Sequence, residues 1–204
     1  SIFAKAIAAD AENSDGYSSR GNFRWGIGDY KNGLADLDKA IAIEPSVALY
    51  LQRAYRRFQT GDVAGALSDG VLACVISPVA ANHWRFLATL KTMREDLEGA
   101  TVALRRAMRL EPGDIKQELT LGELLRRSGR PGEALALVRD IAERVPDDER
   151  AWINLAVMCQ HGWRDFDAAR AFRRASCLRP DRLDLVYRDN LLLPAVPRSV
   201  TDIA

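Results

Sequence analysis

Residues 151–180 read AWINLAVMCQHGWRDFDAARAFRRASCLRP, and their apolar positions fall into two sets. Leu155, Ala156 and Cys159 lie three, four and seven residues after Trp152; Phe172 and Ala175 lie four and seven after Ala168. Such intervals collect side chains on one face of an α-helix, so two helices are predicted, parted near Gly162. The arrangement recurs at a fixed period. Pro45, Pro78, Pro112, Pro146 and Pro180 are separated by 33, 34, 34 and 34 residues. Twelve residues before each stands Gly33, Ala66, Ala100, Ala134 or Ala168. Five before stands Ala40, Ala73, Ala107, Ile141 or Ala175, and twenty-four before stands Gly21, Ala54, Ala88, Gly122 or Ala156. Only Ile141 breaks the rule of small residues, so the chain is a repeat protein whose units stack to share a core.

The columns also predict geometry. Small residues belong where two antiparallel helices, A and B, approach most closely, with large residues filling the space beside them. Gly28-Asp29, Gly61-Asp62, Ser128-Gly129 and Gly162 have the composition of a left-handed C-cap followed by a new helix start. Each proline ends helix B by restricting the residue before it, and acidic residues such as Asp114 and Asp147 are expected beside the positive end of the next helix. Pro45 to Ala54 is nine residues where the later intervals are ten, which places the shortened loop between repeats one and two.

The sequence resembles the tetratricopeptide repeat family, whose 34-residue pattern is W-x2-L-G-x2-Y, then A-x3-F, then A and P. Trp152-x2-Leu155-Ala156-x2-Cys159, Ala168-x3-Phe172-x2-Ala175 and Pro180 make one copy; Trp84-x2-Leu87-Ala88, Ala100-x3-Leu104-x2-Ala107 and Pro112 make another. The first copy keeps Tyr17, Gly21, Gly28-Asp29-Tyr30 and Leu37 but has Arg20 and Arg24 where Leu and Tyr are usual. The second departs with Arg53 and Gly70, the fourth with Glu118 in place of the aromatic. Looser packing is expected in those three repeats. The resemblance covers residues 14–182 and implies an all-α right-handed α-α superhelix, a TPR solenoid, with five full repeats at 14–46, 47–80, 81–114, 115–148 and 149–182.

Residues 1–13 fit helix B of a preceding partial repeat, with Phe3 and Ala6 in its columns. Without a helix A, Ile2, Phe3 and Ile7 are left exposed, which calls for more chain upstream, the preferred reading, or for self-association through that open face. Residues 183–193 fit a C-terminal capping helix that lays Leu183, Val186 and Leu193 over repeat five, and 194–204 form a tail or linker.

Charge changes the picture of partners. The 204 residues carry 29 basic and 28 acidic side chains. That balance disfavours duplex DNA or an anionic membrane held by long-range electrostatics. No apolar run nears the roughly 18 residues needed to span a bilayer, and no leader pattern opens the chain. Cys74, Cys159 and Cys177 are odd in number and lack CxxC spacing, which fits a reducing, cytoplasmic location.

Candidate chemistry is sparse. His161 follows Cys159 by two residues, and on a helix such a pair points about 200° apart, so no metal site is assigned. No base and orienting group are spaced to activate a thiol, and neither G-x-x-x-x-G-K-[ST], H-E-x-x-H nor G-x-S-x-G occurs. No cofactor and no catalytic residue are expected. Arg105, Arg106, Arg109, Arg170, Arg173, Arg174 and Arg179 fall on helix B, the outer face in the family, and read as a solvated ridge; base stacking would need aromatics, and Phe172 is committed to the core. Trp25 and Trp163 are assigned to helix-end packing.

Function is therefore expected from shape. In the family, helix A lines a concave groove with repeat positions 2, 5, 6, 9, 12 and 13. Here that face offers Asn22, Gln52, Tyr55, Asn82, Arg85, Thr89, Lys116, Thr120, Glu123, Arg150, Asn154 and Gln160, with Arg188 of the cap extending it. Asn and Gln suit main-chain amides, and Arg or Lys a carboxylate, so an extended peptide or partner protein is the expected ligand. Relatives that grip chaperone C-termini need Lys and Asn at positions five and nine, Asn at six of the next repeat, and Lys and Arg at two and six of the third. Ser18, Asn22, Gln52, Asn82 and Phe86 do not supply that clamp, nor do Arg85, Thr89, Thr120, Arg150 and Asn154.

The leading expectation is a noncatalytic protein-interaction scaffold. An alternative is the substrate-recruiting region of a larger enzyme, because residues 191–203 are similar to the junction before the catalytic part of bacterial O-linked N-acetylglucosamine transferase relatives. A second alternative is an RNA-binding helical array, recognised by steep salt dependence.

Overall fold

The computed structural model describes residues 12–162 and 164–182. Residues 1–11 of the expected partial repeat, Trp163, the capping helix with Arg188 and the tail lie outside the described residues. Among those described, all regular structure is helical, in ten helices: α1 Ser14–Gly26, α2 Tyr30–Ile43, α3 Val47–Gln59, α4 Val63–Ile76, α5 Ala81–Met93, α6 Leu97–Leu110, α7 Ile115–Arg127, α8 Pro131–Arg144, α9 Glu149–His161 and α10 Asp165–Leu178. The chain divides between Glu111 and Pro112 into two compact units. In the first, α1 packs on α2, α3 on α4 and α5 on α6, and successive pairs meet through α2 with α3 and α4 with α5. In the second, α7 packs on α8, α9 on α10, and α8 on α9.

The small-residue columns sit where the helices of a pair meet. Ala54, Ala66, Ala73, Ala100, Ala107, Ala134, Ala156, Ala168 and Ala175 are all fully buried, and Ile141 is buried with them. Closeness is explicit at Gly21 and Gly33: a β-carbon on either would come within 3.0 or 3.1 Å of the other's carbonyl oxygen. Leu37, Ala40, Ile41 and Leu49 form one core cluster, Ala54, Ala66 and Leu90 a second, and Phe172, Val138 and Leu125 fill the second unit. The loop from α2 to α3 has three residues, 44–46, where 77–80 and 145–148 have four, so the deletion lies where the columns placed it.

The A-to-B turns obey a left-handed column. Gly28, Gly61 and Gly129 have φ of 84°, 83° and 79°, and Glu95 takes the same place in the third pair at 58°. Gly162, grouped with these from its composition, has φ of −94° and is the C-cap of α9, one residue earlier in the register. The helix starts differ in one detail. Asp114 caps α7 by accepting from the Lys116 amide, but at α9 the cap is Asp148, accepting from the Arg150 amide, and not Asp147.

The expected looseness of repeats one, two and four is replaced by buried ion pairs. Asp36, only 2% exposed, accepts from Arg20 Nε and Nη2 at 2.9 and 2.7 Å and from Arg24 Nη1 at 2.7 Å. Asp69, 1% exposed, accepts from Arg53 Nε and Nη2 at 2.9 and 2.6 Å and from Arg57 Nη1 at 2.9 Å. Arg53 also reaches Asp38 at 2.7 Å, tying α3 to α2. These hydrogen bonds push the Arg20 and Arg53 pKa values up. At the corresponding positions the third pair has Leu87, Lys91 and Ala103, so the arginines and the aspartate come and go together. Glu118 is likewise buried and paired with Arg144. Where that column holds tryptophan, the indole fastens the inter-pair loop: Trp84 Nε1 donates to Pro78 C=O at 2.9 Å and Trp152 Nε1 to Pro146 C=O at 2.8 Å.

Candidate functional site

In the second unit, Lys116, Leu119, Thr120 and Glu123 recur at helical spacing along one face of α7, and Arg150 and Asn154 do the same on α9. Together these six line a cleft of about 350 Å³. Five of them are groove residues expected from the sequence. Leu119, at position five of its repeat, is apolar and stands outside the polar set expected from the sequence; it gives the cleft an apolar wall.

Most of the charge in this cleft is already matched. Arg150 forks onto Asp148, Nε to Oδ1 at 3.0 Å and Nη2 to Oδ2 at 2.6 Å. That pairing raises the Arg150 pKa and, against a smaller burial effect, lowers that of Asp148. Arg126 forks onto Glu123 at 2.9 and 2.6 Å and holds the Glu123 carboxyl below its usual range. The Lys116 ammonium has no carboxylate partner among the described residues. Thr120 donates its hydroxyl to Lys116 C=O at 2.7 Å, and Asn154 donates its amide to Arg150 C=O at 2.8 Å. Helix A thus uses the donors and leaves the Thr120 and Asn154 oxygens as acceptors. The cleft offers one free cation, a few acceptors and an apolar wall, which suits a main chain with its N–H groups and a nearby acidic group.

The first unit treats its predicted groove residues differently. Gln52 donates to Asn22 Oδ1 at 2.5 Å, Ser18 donates to Gln52 Oε1 at 3.3 Å, and Arg56 adds a contact to Asn22 at 3.4 Å. These groups bridge α1 and α3 and satisfy one another. Arg56 also lies over Trp25, 4.8 Å from the ring, and Trp25 packs on Tyr30 at 4.6 Å, consistent with helix-end packing. Arg85 is held by Glu111 at 2.6 Å, and Thr89 donates to Arg85 C=O. Tyr55 and Asn82 are exposed and Gln160 is half-buried; none of the three lines the α7–α9 cleft. Arg56, absent from the predicted set, was legible as an arginine one turn from Gln52.

Other candidate chemistry finds plain places. Cys159 is buried, and burial raises its thiol pKa; Cys74 is pushed up to about 11 for the same reason. His161 is exposed at the end of α9. Among the described residues no three His, Cys, Asp or Glu side chains cluster as a metal site would need, and no helix is long and apolar enough to cross a membrane. Phe172, between the outer arginines, is fully buried.

Comparison with known proteins agrees with this architecture. Residues 116–158, which include every cleft residue, match the tetratricopeptide repeat family model. The described helix pairs superimpose on solved repeat structures. The chain has the tetratricopeptide-repeat fold. Its repeats align with YrrB, described as a TPR protein with an unusual peptide-binding site, at TM-score 0.72 and 21% identity over 92% of this chain and 97% of that one. MamA aligns at TM-score 0.72 and 19% identity, over 85% and 96% of the two chains. Yeast Tom70 aligns at TM-score 0.60 and 24% identity over 93% of this chain but 42% of its own length. No curated protein gives a significant sequence match.

Proposed function

We propose that this chain is a noncatalytic scaffold that holds an extended segment of a partner protein, with the α7–α9 cleft as its main pocket. The observation that carries the reading is the unpaired Lys116 ammonium in a 350 Å³ cleft whose other charges are matched from within. A ligand carboxylate near Lys116 gains a charge-assisted hydrogen bond without first displacing an internal partner. At Arg85 or Arg150 it would have to compete with Glu111 or Asp148. The peptide-binding site named for YrrB, a structure with the same fold, supports the same class of ligand. Affinity for a short segment is of micromolar order, about −8 kcal/mol.

The test is a peptide array of acidic, neutral and basic ten-residue segments, read with wild type, Lys116→Glu and Arg85→Glu. Acidic segments that lose about tenfold or more on Lys116→Glu and little on Arg85→Glu support the cleft. Equal binding by wild type and Lys116→Glu, with equal helicity, removes it.

A further inference from the structure

The outer face of α4 differs from that of every other helix B among the described residues. Ala64, Ser68, Val71, Leu72, Val75 and Ile76 are all exposed and share one side of the helix, and Val79 continues the stripe in the loop beyond. The five large residues are 40% to 74% exposed. Ser68 donates its hydroxyl back to Ala64 C=O at 3.2 Å, so even the one polar side chain has its donor satisfied by its own helix. No charge lies on this face, because the single acidic residue of α4, Asp69, points inward to Arg53 and Arg57.

The other repeats supply an internal comparison. At the positions of Val71, Leu72 and Val75, α6 carries Arg105, Arg106 and Arg109, α8 carries Arg139, Asp140 and Glu143, and α10 carries Arg173, Arg174 and Cys177. In α2 the first two are Asp38 and Lys39. The same structural position is solvated by charge in four copies and is apolar in one. A helix face that met only water in all five would have no cause to differ, and contiguous exposed apolar surface of about 400 Å² is the size at which patches mark interaction sites.

We infer that the α4 face packs against the α4 face of a second copy of this chain. Two features favour its own copy over a different partner. An uncharged stripe meets itself without like-charge repulsion, whereas the arginine face of α6 could not. The stripe also tapers from Ala64 and Ser68 at one end to Leu72, Val75 and Val79 at the other. An antiparallel two-fold pairing sets the small end of each helix against the large end of the other, which is the self-complementarity an isologous interface requires. Two such faces bury about 800–1,000 Å² in all, at the low end of specific interfaces, so the dimer is a weak one with a Kd of about 10–100 μM.

Sedimentation velocity of the full chain between 1 and 500 μM tests this. Wild type is expected to rise from monomer toward dimer across that range. Leu72→Arg with Val75→Arg, which copies the Arg106 and Arg109 that α6 already tolerates, is expected to stay monomeric with unchanged helicity. Ala64→Glu with Ser68→Glu, at the end that faces Leu72 and Val75 of the other copy, is expected to stay monomeric alone and to dimerise when mixed with the arginine variant. A wild type that remains monomeric at 500 μM would overturn the proposal and leave the face to a different protein. Arginine variants that dimerise as wild type does, or a mixture that fails to pair, would overturn it equally.

Discussion

Arg53 shows how a residue can depart from its column and still be necessary. In sequence, Arg53 and Arg57 look like failures of an apolar column; in the fold they are the partners that make a buried carboxylate tolerable. Removing one member alone leaves buried charge unmatched, so Asp69→Ala is expected to cost about 3 kcal/mol. Importing the third repeat's own solution, Arg53→Leu with Arg57→Lys and Asp69→Ala, is expected to return stability to within about 1 kcal/mol of wild type. Urea unfolding of the two variants checks both numbers, and a triple variant as unstable as the single one would contradict the account. The small columns have the opposite sensitivity. Ala156 is fully buried against its neighbours, so Ala156→Leu is expected to overpack the pair and cost about 1–3 kcal/mol, seen as a lower urea midpoint. Glu123 and Asp148 fix a pH dependence. Their pKa values are lowered in the folded chain by Arg126 and Arg150. The folded state therefore binds fewer protons than the unfolded one, whose groups titrate near about 4.3 and 3.9. The stability they contribute is complete above those values and is lost as pH falls through the lower, folded ones. Denaturation midpoints compared at pH 6 and pH 3 should fall less for the pair of variants Glu123→Gln and Asp148→Asn than for wild type.

At the scale of the helix, the turn between A and B is specified by backbone conformation more than by side-chain type. Glu95 occupies the left-handed position that glycine holds at 28, 61 and 129. A side chain there costs about 1–2 kcal/mol against glycine, partly offset because glycine gives the unfolded chain more freedom. Glu95→Gly is expected to raise stability by about 0.5–1 kcal/mol, measurable as a higher thermal midpoint. Legibility at this scale was uneven for a physical reason. Helix positions, the shortened loop and the buried columns followed from periodicity, because a 3.6-residue repeat forces the same side chains inward in every copy. Gly162 was misplaced because composition says that a turn contains glycine without saying which residue takes positive φ. The buried arginine networks escaped because a column read alone registers a polar residue as a defect. The signal was present as covariation, with Arg20, Arg24 and Asp36 repeated as Arg53, Arg57 and Asp69 and absent together from the third copy.

For the molecule as a whole, near-zero net charge places recognition in local arrangements of side chains. The sequence identified the polar face of helix A but not which of its charges are free, since Glu111 and Asp148 are not groove positions, Arg126 stands at one but outside the expected set, and their effect exists only once the chain is folded. Lys116 is singled out by three dimensions. Salt is expected to weaken a bound acidic segment only modestly, by about the effect of one ion contact, in line with the one unmatched cation of the α7–α9 cleft; a steep dependence measured between 50 and 200 mM salt would point to a more extensive basic surface.

The hydrogen bonds from Trp84 to Pro78 and from Trp152 to Pro146 place one indole in each unit at the junction between helix pairs. Indole emission shifts to longer wavelength when water reaches the ring. With Trp25 and Trp163 replaced by phenylalanine, and either Trp84 or Trp152 replaced in turn, the remaining ring becomes an optical gauge of a single junction. The order in which the two halves of this chain come apart is thus written into its own fluorescence, without an added dye.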